Sequence, residues 1–255
     1  MYFAFIKKKS LVKWFSIIIA IFLFLIPISK NNVYAVFNGK PLKELPIYYV
    51  KTEGKKIAIS FDCAWGVDYT DKLLSIMQEN DVKSTFFMVE FWVKKHPDYV
   101  KKIFDFGHEV ATHSATHPHM SKLSKSQIQQ ELITSTQAIT EITKKKPILF
   151  RAPFGEYNDI VIQTALELGL YTIQWDVDSL DWKDYSANKI AERVLKKVKS
   201  GSIVLFHNQG LHTAQALPII IKSLKQQGYS FVPIGELIYK ENYIIEADGG
   251  QKLIL

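Results

Sequence analysis

The sequence predicts an α/β fold, a barrel of about seven parallel strands with helices on the outside. Short apolar runs alternate with stretches that carry apolar residues at three- and four-residue spacing, which is the order strand, helix, strand, helix. Such alternation implies parallel strands joined by right-handed helical crossovers, in an open sheet or a barrel. No glycine-rich phosphate loop follows the first strand, and one domain of this length fits a barrel somewhat short of eight strands.

The predicted strands are apolar runs of four to eight residues. They cover residues 57–62, 84–89, 109–112, 148–151, 171–178, 202–207 and 229–234, and residues 48–50 form a short edge strand ahead of them. The predicted helices cover residues 70–79, 93–106, 124–143, 158–168, 187–199 and 213–227. Ser124, Asn158 and Ser186 are typical N-caps, and Gly107 and Gly169 follow two of the helix ends.

Residues 1–35 have the pattern of a targeting segment. Four lysines precede an apolar stretch at residues 14–28, and a cleavage site of the small-residue type ends at Ala35. The stretch is shorter than the roughly 20 residues of a spanning helix, so we expect a signal peptide, with a signal anchor that tethers the chain to the membrane as the alternative. Either way the remainder lies outside the cytoplasm. We assign residues 36–55 to a linker that leads into the domain, and residues 56–255 to the domain itself.

The charge balance argues against a nucleic-acid partner. The formal net charge is +7, and five lysines precede Ala35 without any acidic residue, which leaves +2 for residues 36–255. A nucleic-acid surface needs a larger basic excess clustered on one face. The single cysteine, Cys63, excludes an intramolecular disulfide.

Polar residues stand where several predicted strands end. Because the carboxyl ends of parallel barrel strands meet at one face, we expect these side chains to lie together. The residues are Asp62, His113, Arg151, Asp178 and His207.

These residue types suit metal-assisted hydrolysis. His113 and His117 are four residues apart and can bind one divalent metal ion through neutral nitrogens, although an isolated pair is equally consistent with ordinary surface histidines. Asp62 can act as a general base and His207 as a general acid.

Two further charged residues can support that acid and base. Arg151 can hold a carboxylate in place, and Asp181 can orient His207 and tune its pKa. Each has a structural alternative when taken singly, but chance convergence of all of them on one face is improbable.

Five segments in this order resemble the five motifs of the polysaccharide deacetylases, which are carbohydrate esterase family 4 or the NodB homology domain. They are Ser60-Phe61-Asp62, His113-Ser114-Ala115-Thr116-His117, Arg151-Ala152-Pro153-Phe154-Gly155, Asp178-Ser179-Leu180-Asp181-Trp182 and Ile203-Val204-Leu205-Phe206-His207. The resemblance covers roughly residues 55–240. The spacing from residue 48 to residue 57 also resembles the sporulation-associated bacterial branch.

The resemblance implies a distorted, incomplete (β/α) barrel and a role for each matching residue. Asp62 matches the catalytic base, Arg151 the residue that positions it, His207 the catalytic acid and Asp181 its carboxylate partner. The implied metal-binding histidines are His113 and His117, the implied walls of the acetyl pocket are Trp182 and Leu205, and the implied oxyanion donor is the backbone N–H of Phe154.

The sequence departs from the family at Cys63, where a second Asp, a metal ligand, is normal. Three interpretations stand open. The thiolate of Cys63 replaces the carboxylate and favours zinc; Asp68 or water fills the position; or Cys63 is a small buried apolar residue.

The expected function is therefore removal of N-acetyl groups from an extracytoplasmic polysaccharide such as peptidoglycan or a chitin-like polymer, a hydrolysis of linear amides, with one divalent ion, most simply zinc. The alternatives are a catalytically weakened protein that binds cell-wall glycan or assists assembly, and an amidase on a small non-sugar amide.

Overall fold

A computed structural model describes residues 43–254 of the 255-residue chain. The predicted signal segment and the first residues of the predicted linker lie outside the described residues. No helix within residues 43–254 has both the length and the apolar character needed to cross a membrane.

The core of the molecule is a curled sheet of parallel strands flanked by helices. The strands of the described chain are β1 (Tyr49–Lys51), β2 (Lys56–Cys63), β3 (Thr85–Met88), β4 (Glu109–Thr112), β5 (Leu149–Phe150), β6 (Tyr171–Thr172), β7 (Val177–Asp178), β8 (Ile203–His207), β9 (Ser230–Phe231), β10 (Tyr243–Ile245) and β11 (Gly250–Leu253). The spatial order of the parallel sheet is β6-β5-β4-β3-β2-β8-β7, and β9 pairs with β2. The predicted incomplete (β/α) barrel is confirmed.

Strand β2 lies inside the sheet, between β3 and β8, and contributes to the apolar packing on both faces of the sheet. Its residues alternate between the two faces, as strand geometry requires. Ile59, Phe61 and Cys63 pack in the apolar cluster beneath the outer helices, whereas Ala58 packs in the cluster inside the barrel. Full burial of a side chain as large as Phe61 stabilises the fold by about 1.5–3 kcal/mol.

Helices cover the outside of the sheet. Their bounds are Thr70–Glu79, Glu90–Lys95, Pro97–Asp105, Lys125–Thr143, Asp159–Glu167, Ala187–Lys197, Thr213–Gln226 and Ile234–Leu237. The three predicted caps are confirmed, because Ser124, Asn158 and Ser186 each accept a backbone N–H of the first helical turn. Ser124 and Gln127 form a reciprocal capping box.

Two predicted elements are divided. The helix expected at residues 93–106 is two helices that meet at His96, because Pro97 lacks an N–H and disfavours a helical conformation of the residue before it. The strand expected at residues 171–178 is split between β6 and β7, which pair with β5 and β8 at opposite edges of the open barrel. The link between them crosses that gap, so it cannot continue either strand.

Residues 43–51, which the sequence assigns to a linker, lie against the barrel. Ile47 bridges Ile173, and both Ile47 and Val50 belong to the apolar cluster inside the barrel. Strand β1 pairs in parallel with β11, and β11 pairs with β10, which gives a small three-stranded sheet. The hairpin of β10 and β11 and the helix Ile234–Leu237 were not predicted, because both are very short and carry weak periodicity.

Candidate active site

The end of β2 carries a buried ion pair. Asp62 is 8% exposed and accepts a hydrogen bond of 2.8 Å from Arg151 Nη1, and Arg151 is fully buried. Arg151 Nη2 donates to Ser60 Oγ at 2.9 Å and to the carbonyl of Gln174 at 3.2 Å, and the guanidinium lies 4.0 Å from the centre of the Phe87 ring. These contacts of the two terminal nitrogens and of one face of the guanidinium fix its position, so that it presents Nη1 to Asp62.

The surroundings of Asp62 keep this carboxyl ionised. Burial raises its pKa, but the positive charge of Arg151 and further contributions from His113 and His207 outweigh burial, and the pKa lies below its usual range. A base that is ionised at neutral pH and oriented by a rigid partner is what abstraction of a proton from water requires.

The His113–His117 turn follows β4 and brings two imidazoles together. The ring centres of His113 and His117 are 5.0 Å apart, and His113 Nε2 lies 3.6 Å from Asp62 Oδ2. His113 Nδ1 is 2.8 Å from the carbonyl of Arg151. This contact makes Nδ1 the donor, so Nε2 carries the lone pair, on the side of the ring that lies toward Asp62.

Both imidazoles of the turn are neutral at physiological pH. Burial lowers the pKa of His113 to about 4, and burial also lowers the pKa of His117. Neutral imidazole is the form that binds a metal ion.

The end of β8 carries His207, the side chain predicted to act as the general acid. His207 Nδ1 lies 2.8 Å from Asp181 Oδ1, and the backbone N–H of His207 donates to Asp181 Oδ2 at 2.8 Å. Thr213 Oγ1 donates to the same Asp181 oxygen at 2.6 Å. Asp181 is fully buried, whereas 32% of the His207 side chain is exposed. The imidazole is therefore held by a fixed partner and remains accessible.

The carboxylate behind His207 sets its pKa. Partial burial lowers the pKa of the imidazole, but the hydrogen bond and the charge of Asp181, together with the charge of Asp62, outweigh that effect and leave the pKa raised. A larger share of His207 is therefore protonated near neutral pH, as a general acid requires.

Cys63 does not lie with the two histidines. Its side chain is fully buried in the apolar cluster with Phe61 and the outer helices, and burial followed by the nearby charge of Asp62 raises the pKa of its thiol well above the usual value. Its backbone carbonyl accepts from Val89. Asp68, the other candidate for this position, accepts a hydrogen bond from Gln209 Nε2 at 2.5 Å.

The donor set therefore fits a metal ion only in part. His113 and His117 have the protonation state and the fixed tautomer that a metal ligand needs. Within residues 43–254, however, no group of three or more His, Cys, Asp or Glu side chains is arranged to hold a metal ion. Whether Cys63 is a ligand stays a prediction, and in the observed geometry it is a core residue.

The three predicted substrate-contact residues differ in their exposure. Phe154 has φ of 59° and is 59% exposed, and its ring lies 4.6 Å from the ring of His117. No partner for the Phe154 N–H occurs among the described residues, so this donor is available. Trp182 is 57% exposed, whereas Leu205 is buried in the middle of β8, where it pairs with Ser60 of β2.

Three residues that support the site were not predicted. Ser60 could have been found, since it lies two positions before Asp62 on the same face of β2. Thr213, the second partner of Asp181, and Glu131, which accepts three hydrogen bonds from the His113–His117 turn, could not, because only the folded chain brings them to their partners.

A carboxylate with a lowered pKa and an imidazole with a raised pKa, on neighbouring strands at the carboxyl ends of a parallel barrel, form the kind of pair that an acid–base hydrolase uses. Comparison with known proteins identifies the family. Residues 49–173 match the family model described as polysaccharide deacetylase. The chain is 37% identical over 206 residues to a peptidoglycan-N-acetylglucosamine deacetylase of Bacillus cereus, covering 77% of this chain and 96% of that protein. The chain belongs to the polysaccharide deacetylase family.

Two other similarities qualify the comparison. The chain is 34% identical to an uncharacterised protein of Bacillus subtilis over 77% of its own length, and it spans 61% of that protein. A solved pseudoenzyme of carbohydrate esterase family 4 from Bacillus anthracis is 37% identical with a TM-score of 0.74, covering 77% of this chain and 69% of that one. A mutant of the same pseudoenzyme has restored enzymatic activity.

Proposed function

We propose that this chain is a metal-dependent hydrolase that removes N-acetyl groups from peptidoglycan outside the cytoplasm. The observation that carries the proposal is the register of β2 and β8, which places Asp62 directly beside His207 at the carboxyl ends of neighbouring strands. Arg151 holds Asp62 by a hydrogen bond, and Asp181 holds His207. The proposed base and the proposed acid are therefore adjacent and are each fixed by a separate partner.

The reaction follows from these two groups. Asp62 accepts a proton from water as the water oxygen attacks the carbonyl carbon of the acetamide. The negative charge that develops on the carbonyl oxygen is stabilised by the N–H of Phe154. His207 then gives its proton to the sugar nitrogen as the carbon–nitrogen bond breaks, which releases acetate and a free amine on the sugar.

The proposal includes one divalent ion, most simply zinc, with His113 and His117 as its protein ligands. Such an ion supplies polarisation of the acetyl carbonyl when it is bound. Support for it comes from the neutral imidazoles and from the contact of His113 with the Arg151 carbonyl.

The substrate and the location rest on relatives and on the sequence. The Bacillus cereus relative is a peptidoglycan-N-acetylglucosamine deacetylase, which supports an acetylated cell-wall polysaccharide as the partner. The lysine-rich start followed by residues 14–28 supports export, either as a secreted protein or as one anchored to the outer face of the membrane.

The test is acetate release from acetylated peptidoglycan by the purified protein, with and without a chelator. We expect release that stops on chelation and returns with added zinc. Unchanged release with chelator would refute metal dependence, and no release from any acetylated glycan would refute the hydrolase.

A second function is favoured by Cys63 and by the similarity to the Bacillus anthracis pseudoenzyme. In this alternative the chain binds cell-wall glycan but turns over weakly, because the metal site lacks a third protein ligand. Retained glycan binding without acetate release would support it.

Two variants of Cys63 separate these functions. Because Cys63 is a core residue in the observed geometry, Cys63→Ala is expected to keep zinc affinity within about twofold and to lower the free energy of unfolding by about 1 kcal/mol. Zinc titration by calorimetry and denaturant unfolding measure the two quantities. A large loss of affinity in Cys63→Ala would show that the thiolate is a ligand. A Cys63→Asp variant that releases acetate when the wild type does not would identify the weakened protein.

A further inference from the structure

We propose that Glu131 is a positioning residue that holds the His113–His117 turn in the conformation that brings its two imidazoles together. Glu131 lies 14 residues after His117, on the helix Lys125–Thr143, and none of the motifs of the sequence contains it. The inference rests on the proposed role of the two histidines as metal ligands.

The turn is conformationally strained. Ser114 has φ of 73° and His117 has φ of 58°, so two non-glycine residues of a five-residue segment are left-handed. Such residues cost of order 1–3 kcal/mol each and persist only where their surroundings hold them. The same turn places the ring centres of His113 and His117 5.0 Å apart.

Glu131 supplies the contacts that hold this turn. Its Oε2 accepts the backbone N–H groups of Ala115 and Thr116, both at 2.8 Å, and its Oε1 accepts the hydroxyl of Thr116 at 2.7 Å. Hydrogen bonds to a carboxylate are roughly twice as strong as bonds between neutral groups. All three donors lie between the two histidines, so the carboxylate fixes the part of the chain that sets their separation.

The helix makes Glu131 a rigid support. The neighbouring residues Ile128 and Leu132 are fully buried, and Ser135, one turn further on, contacts Thr112 at the end of β4. The helix is therefore joined both to the strand that precedes the turn and to the turn itself. Within the turn, the Ser114 hydroxyl accepts the N–H of His117 at 3.1 Å, which is a local contact that Glu131 supplements from outside.

The experiment compares Glu131→Ala and Glu131→Gln with the wild type, in protein stripped of metal. Glu141→Ala is the matched control, since Glu141 is an exposed glutamate on the same helix. Zinc affinity is measured by calorimetry, and the contact between the two imidazoles is measured by NMR in the absence of metal. We expect Glu131→Ala to bind zinc at least tenfold more weakly and to lose the ring contact, and Glu131→Gln to be intermediate, because its one amide oxygen still accepts. Glu141→Ala should match the wild type.

The outcomes separate this inference from the proposed function. Zinc affinity within twofold of the wild type in a folded Glu131→Ala protein would overturn the inference. If Glu131→Ala does not fold, Glu131→Gln decides by the same criterion. If the wild type itself binds no zinc, the metal part of the proposed function is wrong, and the ring contact alone decides. Loss of that contact in Glu131→Ala, or a weakened contact in Glu131→Gln if Glu131→Ala does not fold, supports the positioning role, and an unchanged contact refutes it.

Discussion

At the scale of single residues, the neighbouring side chains of Asp62 and His207 have pKa values displaced in opposite directions. Arg151 holds the pKa of Asp62 below its usual range in spite of burial, and Asp181 holds the pKa of His207 above its usual range. Opposite displacement of two neighbouring titratable groups is the physical signature of a base and an acid. Each role can be tested by removing one charge.

Asp62→Asn removes the base and keeps the shape of the side chain. We expect kcat for acetate release to fall by about 10²–10⁴, the range typical of general acid–base groups, while glycan affinity stays close to the wild-type value. Steady-state kinetics and a glycan-binding assay measure the two. Asp98→Asn, on the exposed face of the helix Pro97–Asp105, is the control and should leave kcat unchanged. Full activity of Asp62→Asn would eliminate Asp62 as the base.

The pH dependence reports on His207. Its raised pKa means that the acid stays protonated further toward alkaline pH, so the alkaline limb of kcat/KM is set by this group. Asp181→Asn removes the charge that raises the pKa, and we expect the alkaline limb to move to lower pH. Measurement of kcat/KM from pH 5 to pH 10 for both proteins gives the shift. A limb that does not move would show that another group sets it.

The raised pKa of His207 also makes the stability of the fold depend on pH. A group whose pKa is higher in the folded state contributes stability below its unfolded pKa, about 6.5 for histidine, and loses that contribution as the pH rises through the folded value. The wild type should therefore lose, between pH 6 and alkaline pH, stability that a His207→Gln variant does not lose. Denaturant unfolding at several pH values measures the difference.

At the scale of secondary-structure elements, the loops that follow the strands hold the site residues in place. After β8 the chain turns through Gly210 into the helix Thr213–Gln226. A Cβ at Gly210 would lie 2.1 Å from Thr213 Oγ1 and 2.6 Å from Asp181 Oδ2. The absence of a side chain there lets Thr213 and His207 reach the same carboxylate.

Gly210→Ala should disturb that network more than the fold. We expect kcat to fall at least tenfold, because the new methyl group displaces Asp181 or Thr213 from His207. Gly169→Ala is the matched control. It meets no atom within 4 Å but has φ of 78°, so it should cost about 1–2 kcal/mol of stability and leave kcat unchanged. Kinetics and thermal unfolding of both variants make the comparison. Wild-type kcat in Gly210→Ala would show that the network tolerates displacement.

The barrel could be predicted from the sequence because its signals are local and repeated. The apolar run of β2 and the cap at Ser124 each specify their own segment, and parallel pairing then brings Asp62 and His207 together. The division at His96 was also readable in principle, since Pro97 prevents a continuous helix.

Other features could not be predicted because they depend on distant partners. Which way Cys63 points depends on whether β2 continues through it: the predicted strand ends at residue 62, whereas the observed strand includes Cys63 and alternation places it on the face of Phe61. Glu131 has the sequence context of any glutamate on an amphipathic helix. Only the position of that helix beside the His113–His117 turn gives it three donors.

At the scale of the whole molecule, part of the apolar cluster inside the barrel comes from residues 43–51, which precede the alternating strands and helices. Ile47 is 2% exposed and packs with Ile173 and Ile203 in the inner cluster. The segment before β2 is thus part of the core that supports the strands of the site.

Ile47→Ala tests that role. We expect a loss of about 2–5 kcal/mol in the free energy of unfolding, the range for truncation of a large buried aliphatic side chain. Ile219→Ala is the control, since Ile219 is 41% exposed and should change stability by about 0.5 kcal/mol or less. Urea unfolding of both variants gives the comparison, and equal small losses would show that residues 43–51 only cover the barrel.

The pairing of β1 with β11 also bears on the order in which the molecule folds. Tyr49 and Gly250 are partners although about 200 residues separate them, whereas β10 and β11 form a local hairpin. Closing so long a loop carries a large entropic cost, and contacts of this kind form late. We therefore expect the hairpin to form first and β1 to join it last. Within residues 43–254, β11 is the only strand that pairs with β1. The three-stranded sheet can therefore be completed only after residues 250–252 have been synthesised, whereas β2 and β3 can pair much earlier.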